Sequence, residues 1–138
     1  MRPKLSGVLE TALYVEDVAR AGAWYQRVFG FESIAGDHRI WALSVEGKTV
    51  LLLIKRGSSV QPHKSSGGMI PGSDAQGTQH LTFRVAAADF EAWEKWLGQN
   101  GVAIESQVRW ELGGCSLYFR DPDNHLLELA TPGTWSIY

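Results

Sequence analysis

Three side chains of types that bind metal ions stand inside otherwise apolar segments of the chain: Glu10, His80 and Glu128. Burying such a group is costly unless it gains a partner, and a metal ion can be that partner. Two carboxylates and one imidazole make an octahedral or square-pyramidal site with open positions, which suits Mn²⁺, Fe²⁺, Ni²⁺, Co²⁺ or Zn²⁺ better than a closed structural zinc site. Singly, each residue is more often a solvated or hydrogen-bonded strand residue, so the elements that position them decide.

The segments around these residues follow the order strand, helix, three strands, and they follow it twice. Short apolar runs predict the strands, and a helical apolar period predicts the helices. The predicted strands are 8–15, 31–35, 38–45 and 48–54, then 80–85, 102–106, 115–121 and 125–131. The predicted helices are 16–30, capped by Asp17 and ended by Gly30, and 89–101. We therefore expect an α+β fold of two pseudo-symmetric βαβββ modules that form a curved sheet around a concave pocket.

A segment without any periodic pattern joins the two modules. Residues 57–79 are rich in Gly, Ser and Pro, which predicts a structureless connection, either a linker or a mobile flap over a site. A chain of 138 residues is most simply one domain with a core of its own. We interpret residues 1–138 as that domain, with module one at about 6–56 and module two at about 80–132.

Weak internal similarity between the modules places the metal-binding residue types at equivalent positions. Aligning the first strands sets Glu10 against His80, and aligning the last strands sets Leu52 against Glu128. Equivalent positions on the first and last strands of two such modules converge on a common centre. Period-2 alternation also sets each of the three polar residues on the strand face opposite its leucine neighbours. The repeat therefore predicts a metal triad rather than three isolated surface residues.

Composition excludes several classes of protein. The net charge of −2 lacks the basic excess of a nucleic-acid binder. The longest clear apolar run, residues 50–54, is far shorter than a membrane helix, so we expect no membrane partner. The single cysteine, Cys115, cannot form an internal disulfide, which favours a reducing, cytoplasmic location.

The segments LYVEDVARAGAWYQRVFGFE, QHLTFRV and LYFRDPDNHLLELATP resemble the vicinal oxygen chelate superfamily, the group of glyoxalases, bleomycin-resistance proteins and ring-cleaving dioxygenases. With the repeat, these motifs cover nearly the whole chain outside 57–79 and the ends. The resemblance implies a glyoxalase-like enzyme of lyase, isomerase or dioxygenase type. Its divalent metal would chelate and polarise vicinal oxygens of a small organic substrate. The resemblance also implies a homodimer.

In this superfamily the ligands come from the first and fourth strands of each module, which correspond here to Glu10, Leu52, His80 and Glu128. The resemblance implies that Glu10, His80 and Glu128 bind the metal, with Glu128 as catalytic base and Glu10 as the alternate base. Leu52 weighs against glyoxalase I, which has a carboxylate ligand at that position. Extradiol dioxygenases and fosfomycin-resistance transferases resemble the chain in having three ligands, but normally two of theirs are His.

The alternatives differ in how they use this site. A second carboxylate ligand disfavours an anionic phosphonate, and no Arg or Lys follows Glu128, so fosfomycin transfer ranks low. An alternative from another class is a metal-free binding protein of bleomycin-resistance type, which sequesters an aromatic cationic drug. Leu52 and the six tryptophans favour that alternative, whereas the ligand triad favours the enzyme.

Four further residues are predicted to line a substrate pocket: Trp41, Trp110, Ser116 and Tyr118. Ser116 and Tyr118 share a face of a strand that members of the superfamily use for substrate contacts. The alternative is core packing for the tryptophans and ordinary sheet polarity for Ser116. His125, in the turn before the last strand, is expected to face solvent, and Cys115 is not expected to act as a nucleophile.

Overall fold

The computed structural model describes every residue from Met1 to Tyr138, and these residues form two compact units. The first unit, Met1–Gly77, contains a four-stranded sheet, one helix and a small hairpin. Its elements are β1 (Glu10–Val15), α1 (Val18–Phe29), β2 (Glu32–Gly36), β3 (Ile40–Val45), β4 (Thr49–Lys55), β5 (His63–Ser65) and β6 (Gly68–Ile70). The strand order in the main sheet is β1-β4-β3-β2, with β1 parallel to β4 and the other neighbours antiparallel.

The second unit, Thr78–Tyr138, repeats this plan. Its elements are β7 (His80–Arg84), a 3₁₀ turn (Ala87–Asp89), α2 (Phe90–Gln99), β8 (Ile104–Arg109), β9 (Cys115–Arg120) and β10 (Leu126–Ala130). The strand order is β7-β10-β9-β8, again with one parallel pair, β7 and β10. The predicted α+β fold of two βαβββ modules is confirmed. Neither α1 nor α2 has the length and apolar character needed to cross a lipid bilayer.

The pairing register shows which positions of the two modules are equivalent. In the first sheet, Glu10 pairs with a residue of β4 that lies two positions before Leu52. In the second sheet, His80 pairs with a residue of β10 that lies two positions before Glu128. The predicted equivalence of Glu10 with His80, and of Leu52 with Glu128, therefore agrees with the backbone pairing.

Helix α1 begins and ends where its capping residues predict. The Asp17 side chain accepts a hydrogen bond from the Arg20 backbone N–H at 3.0 Å, which satisfies one of the free donors at the helix start. Gly30 has a φ of 71° and its N–H donates to the Gln26 carbonyl, a left-handed ending that glycine adopts without strain. Positions 18, 21, 22, 25 and 28 of this helix are buried.

Alternation along the strands gives each sheet two different sides. The side chains of one side are almost fully buried and apolar: Leu13, Leu43, Leu51 and Leu53 in the first sheet, and Leu117, Phe119, Leu127 and Leu129 in the second. The opposite side of the second sheet carries Glu128, and we call it the Glu128 face. It contains every second residue of β7, β9 and β10: His80, Thr82, Arg84, Ser116, Tyr118, Arg120, Leu126, Glu128 and Ala130.

Residues 57–79 carry more structure than their composition predicts. They include the β5–β6 hairpin, and they are fastened to the rest of the first unit. The Tyr14 and Ser73 hydroxyls are hydrogen-bonded at 2.8 Å, and Arg56 Nη2 donates to the Gly77 carbonyl at 2.8 Å. The prediction of a structureless connection is therefore wrong. The two strands have three residues each, which is too short to show an apolar period in the sequence. The contacts that fasten the segment are side-chain hydrogen bonds, which the sequence pattern does not reveal.

Candidate metal centre

Glu128 is a buried carboxylate held by hydroxyl groups. It is 5% exposed and stands between β7 and β9, beside Thr82 on one side and Tyr118 on the other. Ser116 Oγ donates to Glu128 Oε1 at 2.5 Å, Thr82 Oγ1 donates to Oε2 at 2.8 Å, and Tyr118 forms a third hydrogen bond. No Lys or Arg forms an ion pair with Glu128. A buried charge of this kind needs a cation nearby unless it is neutralised by a proton.

A second row of hydrogen bonds fixes the orientation of Ser116. Ser116 is fully buried, and its Oγ accepts the indole N–H of Trp110 at 2.8 Å. Trp110 follows β8 and is held in place by its backbone N–H, which donates to the Gly114 carbonyl at 2.8 Å. Because the indole only donates, the one proton of the Ser116 hydroxyl points to Glu128. Of the four predicted pocket residues, Ser116 and Tyr118 contact Glu128, and Trp110 contacts Ser116.

His80 presents a ring nitrogen to the same carboxylate. Its Nδ1 lies 2.9 Å from the Leu126 carbonyl oxygen, and because a carbonyl only accepts, Nδ1 carries a proton. In the neutral ring Nε2 then holds a lone pair, and Nε2 lies 3.2 Å from Glu128 Oε2. Two lone-pair atoms at this distance are stabilised only by a shared cation, either a proton or a metal ion. The carbonyl that fixes Nδ1 is the kind of outer partner that orients a metal-binding histidine.

The separation of these two atoms fits one metal ion. Nitrogen and oxygen ligands bind first-row divalent ions such as Zn²⁺ at about 2.1 Å, so two ligands at right angles lie about 3.0 Å apart and two at a tetrahedral angle about 3.4 Å apart. The observed 3.2 Å between His80 Nε2 and Glu128 Oε2 falls between these values. The donor set, one imidazole nitrogen and one carboxylate oxygen, also suits these ions. The residues present therefore fit a divalent metal.

Tyr118 responds electrostatically to Glu128. Burial, the negative charge of Glu128 and the hydrogen bond to that carboxylate raise the pKa of Tyr118 above its usual value, in that order of size, against a smaller opposite effect from Ser116. The phenol therefore stays protonated at neutral pH and acts as a hydrogen-bond donor. Its ring also stacks on the His80 ring, with centroids 6.2 Å apart.

Glu10 and Leu52 belong to the first unit. Glu10 is exposed at the first position of β1, and Leu52 pairs with Ala12 on the same face of that sheet. Neither unit by itself contains a group of three or more His, Cys, Asp or Glu side chains able to hold a metal ion. The structure thus brings together two of the three predicted ligands, His80 and Glu128, and the role of Glu10 stays a prediction.

Trp41 lies against helix α1 and strand β2 of the first unit. Its ring packs against Gly22 of α1 and against Gly36 of β2, where added Cβ atoms would stand 3.2 Å and 2.8 Å from it. Trp41 therefore lies on the α1 side of the first sheet, whereas Leu52 points to the other side. This placement supports core packing, the alternative for Trp41, and gives no support to a role in a substrate pocket.

His125 is fully buried, so the expectation that it faces solvent is wrong. Its Nδ1 accepts the backbone N–H of Gln79 at 2.9 Å, and its own backbone N–H donates to Asp121 Oδ1 at 2.8 Å. Gln79 immediately precedes His80, so this buried imidazole helps to fix the start of β7 against β10. The contact joins segments 46 residues apart, which is why the spacing of the turn residues did not reveal it.

Thr82 is the site residue that the sequence interpretation missed. Its Oγ1 lies 2.8 Å from Glu128 Oε2 and 3.3 Å from His80 Nε2. The sequence does place Thr82 on the same strand face as His80, because the two residues are two positions apart in one strand. A threonine on a strand has many structural explanations, however, and only the parallel pairing of β7 with β10 places it against the carboxylate.

A cavity of about 300 Å³ lies on the opposite side of the second sheet and is not part of this centre. It is lined by residues of α2, β8 and β9, among them Cys115 and Arg109. Arg109 Nη1 lies 4.0 Å from Cys115 Sγ. Because Cys115 and Ser116 are neighbours in one strand, their side chains point to opposite faces. Cys115 therefore has no contact with the candidate metal centre.

Known proteins resemble this chain in sequence and in fold. The family model described as Glyoxalase/Bleomycin resistance protein/Dioxygenase superfamily matches residues 7–129. A fosfomycin resistance protein FosX from Listeria monocytogenes is 28% identical over 132 residues, which cover 91% of this chain and 89% of that relative. A metallothiol transferase FosB from Staphylococcus saprophyticus is 42% identical over only 53 residues, so that the match spans about a third of that relative's length, 35%, and 38% of this chain.

Solved structures give the same result at the level of the fold. A lactoylglutathione lyase from Agrobacterium tumefaciens superposes with a TM-score of 0.88 and 28% identity, covering 98% of this chain and 100% of that one. Proteins of the fosfomycin-resistance type, an activity that the sequence interpretation ranked low, thus occur among the relatives.

Proposed function

Because the chain belongs to the Glyoxalase/Bleomycin resistance protein/Dioxygenase superfamily, we propose that it is a metal-dependent enzyme acting on a small oxygenated substrate. His80 and Glu128 are the two ligands from the second unit, and Glu10 is the third. The observation that carries this proposal is the 3.2 Å separation of His80 Nε2 from Glu128 Oε2, two lone-pair atoms that face one another at the distance of adjacent metal ligands.

The residues around Glu128 assign different tasks to its two oxygens. Each oxygen accepts a hydrogen bond from a hydroxyl group, Oε1 from the buried Ser116 and Oε2 from Thr82. Oε2 faces His80 and is the oxygen that would bind, which makes Glu128 a ligand through one oxygen. Bound there, a divalent ion polarises vicinal substrate oxygens and stabilises the negative charge that develops on them.

Proton transfer is assigned to the less encumbered carboxylate. Both oxygens of Glu128 already accept hydrogen bonds from hydroxyl groups, whereas the Glu10 side chain is exposed. A general base must reach the proton it removes, and a carboxylate saturated with donors is a poor acceptor. We therefore assign the proton-accepting role to Glu10, the alternate base in the sequence interpretation, and keep Glu128 as ligand. The Tyr118 phenol, which stays protonated, donates to Glu128 and helps to orient that ligand.

The relatives favour group transfer among the reaction types. The names metallothiol transferase and fosfomycin resistance protein describe those relatives, and the second of them aligns with 91% of this chain. We propose transfer of a nucleophile to a small substrate as the first activity to assay, and glyoxalase-type isomerisation as the second because of the lactoylglutathione lyase likeness. We also propose that the enzyme is a homodimer, which analytical ultracentrifugation measures directly.

Metal analysis tests the proposed function. The protein is purified without chelator, soaked separately in Mn²⁺, Fe²⁺, Ni²⁺, Co²⁺ and Zn²⁺, desalted and analysed for bound metal. We expect one equivalent of at least one ion in the wild type and a loss of it in Glu128→Ala and Glu10→Ala. A wild type that stays free of all five ions contradicts the enzyme proposal and favours the metal-free binding protein.

A further inference from the structure

Arg84 is a positive charge on the Glu128 face that the proposed function does not yet use. It follows Thr82 at the period of two, and it pairs with Ala130 in the row next to the one that holds Thr82 and Glu128. Two residues along a strand span about 6.6 Å, so Arg84 begins within the length of a small organic molecule from the metal ligands. Its row neighbour Ala130 is small and only 6% exposed, whereas Arg84 itself is exposed.

The guanidinium of Arg84 has no carboxylate partner. It contacts the Tyr138 ring, whose centroid lies 5.2 Å from Cζ. Tyr138 is held there because its hydroxyl donates to the Val85 carbonyl at 2.6 Å. Arg120, the other arginine of the Glu128 face, differs: its Nε lies 2.8 Å from Glu105 Oε2, so its charge is already paired.

A ring stacked on one side of a guanidinium leaves the N–H donors along its edge free. Those donors form a planar fork that matches a carboxylate or a phosphonate. Tyr138 therefore holds Arg84 in a defined position without occupying the groups that recognise an anion. The arrangement leaves Arg84 able to bind an anion.

The charges of the proposed metal centre show why an anion needs Arg84. Two carboxylate ligands neutralise a divalent ion, so the centre itself no longer attracts a negatively charged substituent. The unpaired guanidinium supplies that attraction one row away. The absence of Arg and Lys after Glu128 disfavoured anionic substrates in the sequence. Arg84 supplies the missing positive charge, because it precedes Glu128 in the chain and lies on a neighbouring strand.

We infer that Arg84 is a specificity-determining residue that binds an anionic substituent, a carboxylate or phosphonate, of a substrate whose vicinal oxygens lie at the metal. This inference rests on the proposed function and names the substrate class for the same site. Arg84 positions the substrate and takes no part in the chemical step.

Two diols that differ by one carboxylate test the inference. Catechol offers vicinal oxygens only, and 3,4-dihydroxybenzoate adds an anionic group on the far side of the ring. Titration calorimetry with Zn²⁺-loaded protein gives the affinity ratio of the two diols for the wild type and for Arg84→Gln. We expect the ratio to fall about ten-fold in Arg84→Gln, the size expected for a charged hydrogen bond, and Arg84→Lys to keep part of it.

Controls separate the inference from the proposed function. Arg109→Gln removes an exposed arginine from the opposite side of the same sheet and should leave the ratio unchanged. Because the ratio is compared between variants, the effect of the carboxylate on the acidity of the diol cancels. An unchanged ratio in Arg84→Gln, with catechol still bound, overturns the inference and leaves the metal site intact. A Zn²⁺-loaded wild type that binds neither diol contradicts both.

Discussion

The Ser116 hydroxyl donates to Glu128 Oε1 at 2.5 Å and accepts the Trp110 indole N–H. This buried serine therefore fixes the orientation of the Glu128 carboxylate. The other oxygen, Oε2, is thereby turned toward His80. Partners of this kind orient a metal ligand before the metal arrives, and their loss typically reduces metal affinity about ten- to a hundred-fold. Replacing Ser116 therefore tests how much the orientation of Glu128 contributes to metal binding, because Glu128 itself is kept.

Replacing Ser116 by alanine should weaken Zn²⁺ binding by about ten-fold or more, because Glu128 loses the donor that sets its orientation. Without metal, the free energy of unfolding should fall by about 1–3 kcal/mol, since a buried carboxylate oxygen and the indole N–H both lose their partners. Calorimetry and urea unfolding measure the two effects. Ser106→Ala, an exposed serine in the same sheet, is the control, and equal metal affinity in both variants would argue against a supporting role for Ser116.

Replacing Trp110 by phenylalanine removes one donor and keeps most of the ring. The Ser116 hydroxyl then loses its indole partner but can still donate to Glu128. We expect a loss of stability of about 0.5–1.5 kcal/mol, as for one hydrogen bond, and a smaller loss of metal affinity than in Ser116→Ala. Trp135→Phe, at a tryptophan that is 74% exposed, should change neither quantity. A larger metal effect for Trp110→Phe than for Ser116→Ala would disprove this order of contacts.

The raised pKa of Tyr118 depends on the charge of Glu128, so Glu128→Gln should lower the pKa of Tyr118 toward its usual value of 10.0. Tyrosinate absorbance of the metal-free protein, compared with Tyr118→Phe, measures this titration. Because the folded pKa is raised, the stability that Tyr118 contributes is present below pH 10.0 and is lost as the pH rises from there through the folded value. A Tyr118 pKa that is the same in wild type and Glu128→Gln would show that burial alone causes the shift.

Replacing Gly36 by alanine should destabilise the first unit and leave the metal affinity of the folded protein unchanged. The added Cβ would stand 2.8 Å from the Trp41 ring, which must then move within a packed core, at a cost of about 1–3 kcal/mol. Gly67→Ala, where nothing lies within 4 Å, is the matched control. If Trp41 instead lined a substrate pocket, Gly36→Ala would change ligand affinity more than stability.

Much of the fold follows from the sequence, because the apolar periods and turn residues of both modules agree with one another. The helix caps at Asp17 and Gly30 and the left-handed turn at Glu46 and Gly47 are local features, and local chemistry determines them. The β5–β6 hairpin was missed because its strands are too short to show a period. The hydrogen bonds that fasten this segment to the rest of the unit are long-range.

The site was predictable in part for the same reason. Alternation and the internal repeat placed Glu128 and His80 on one face, and the pairing register agrees with that placement. The roles of Thr82 and His125 depend on which strands are neighbours in the sheet. The pattern within a single segment does not give that information. The spacing of two between Trp41 and Leu43, a fully buried residue, indicates the core side for Trp41.

The proposed metal centre requires His80 Nε2 and Glu128 to bind the same ion, and nitrogen NMR of the histidine rings during a Zn²⁺ titration tests that requirement. We predict that the Nε2 resonance of His80 shifts with one equivalent of Zn²⁺ while its Nδ1 stays protonated on the Leu126 carbonyl. The shift should vanish in Glu128→Ala, and the buried His125 should not respond. A His80 ring whose Nε2 resonance is unchanged at saturating Zn²⁺, or whose Nδ1 shifts instead, would contradict a metal centre at His80 and Glu128.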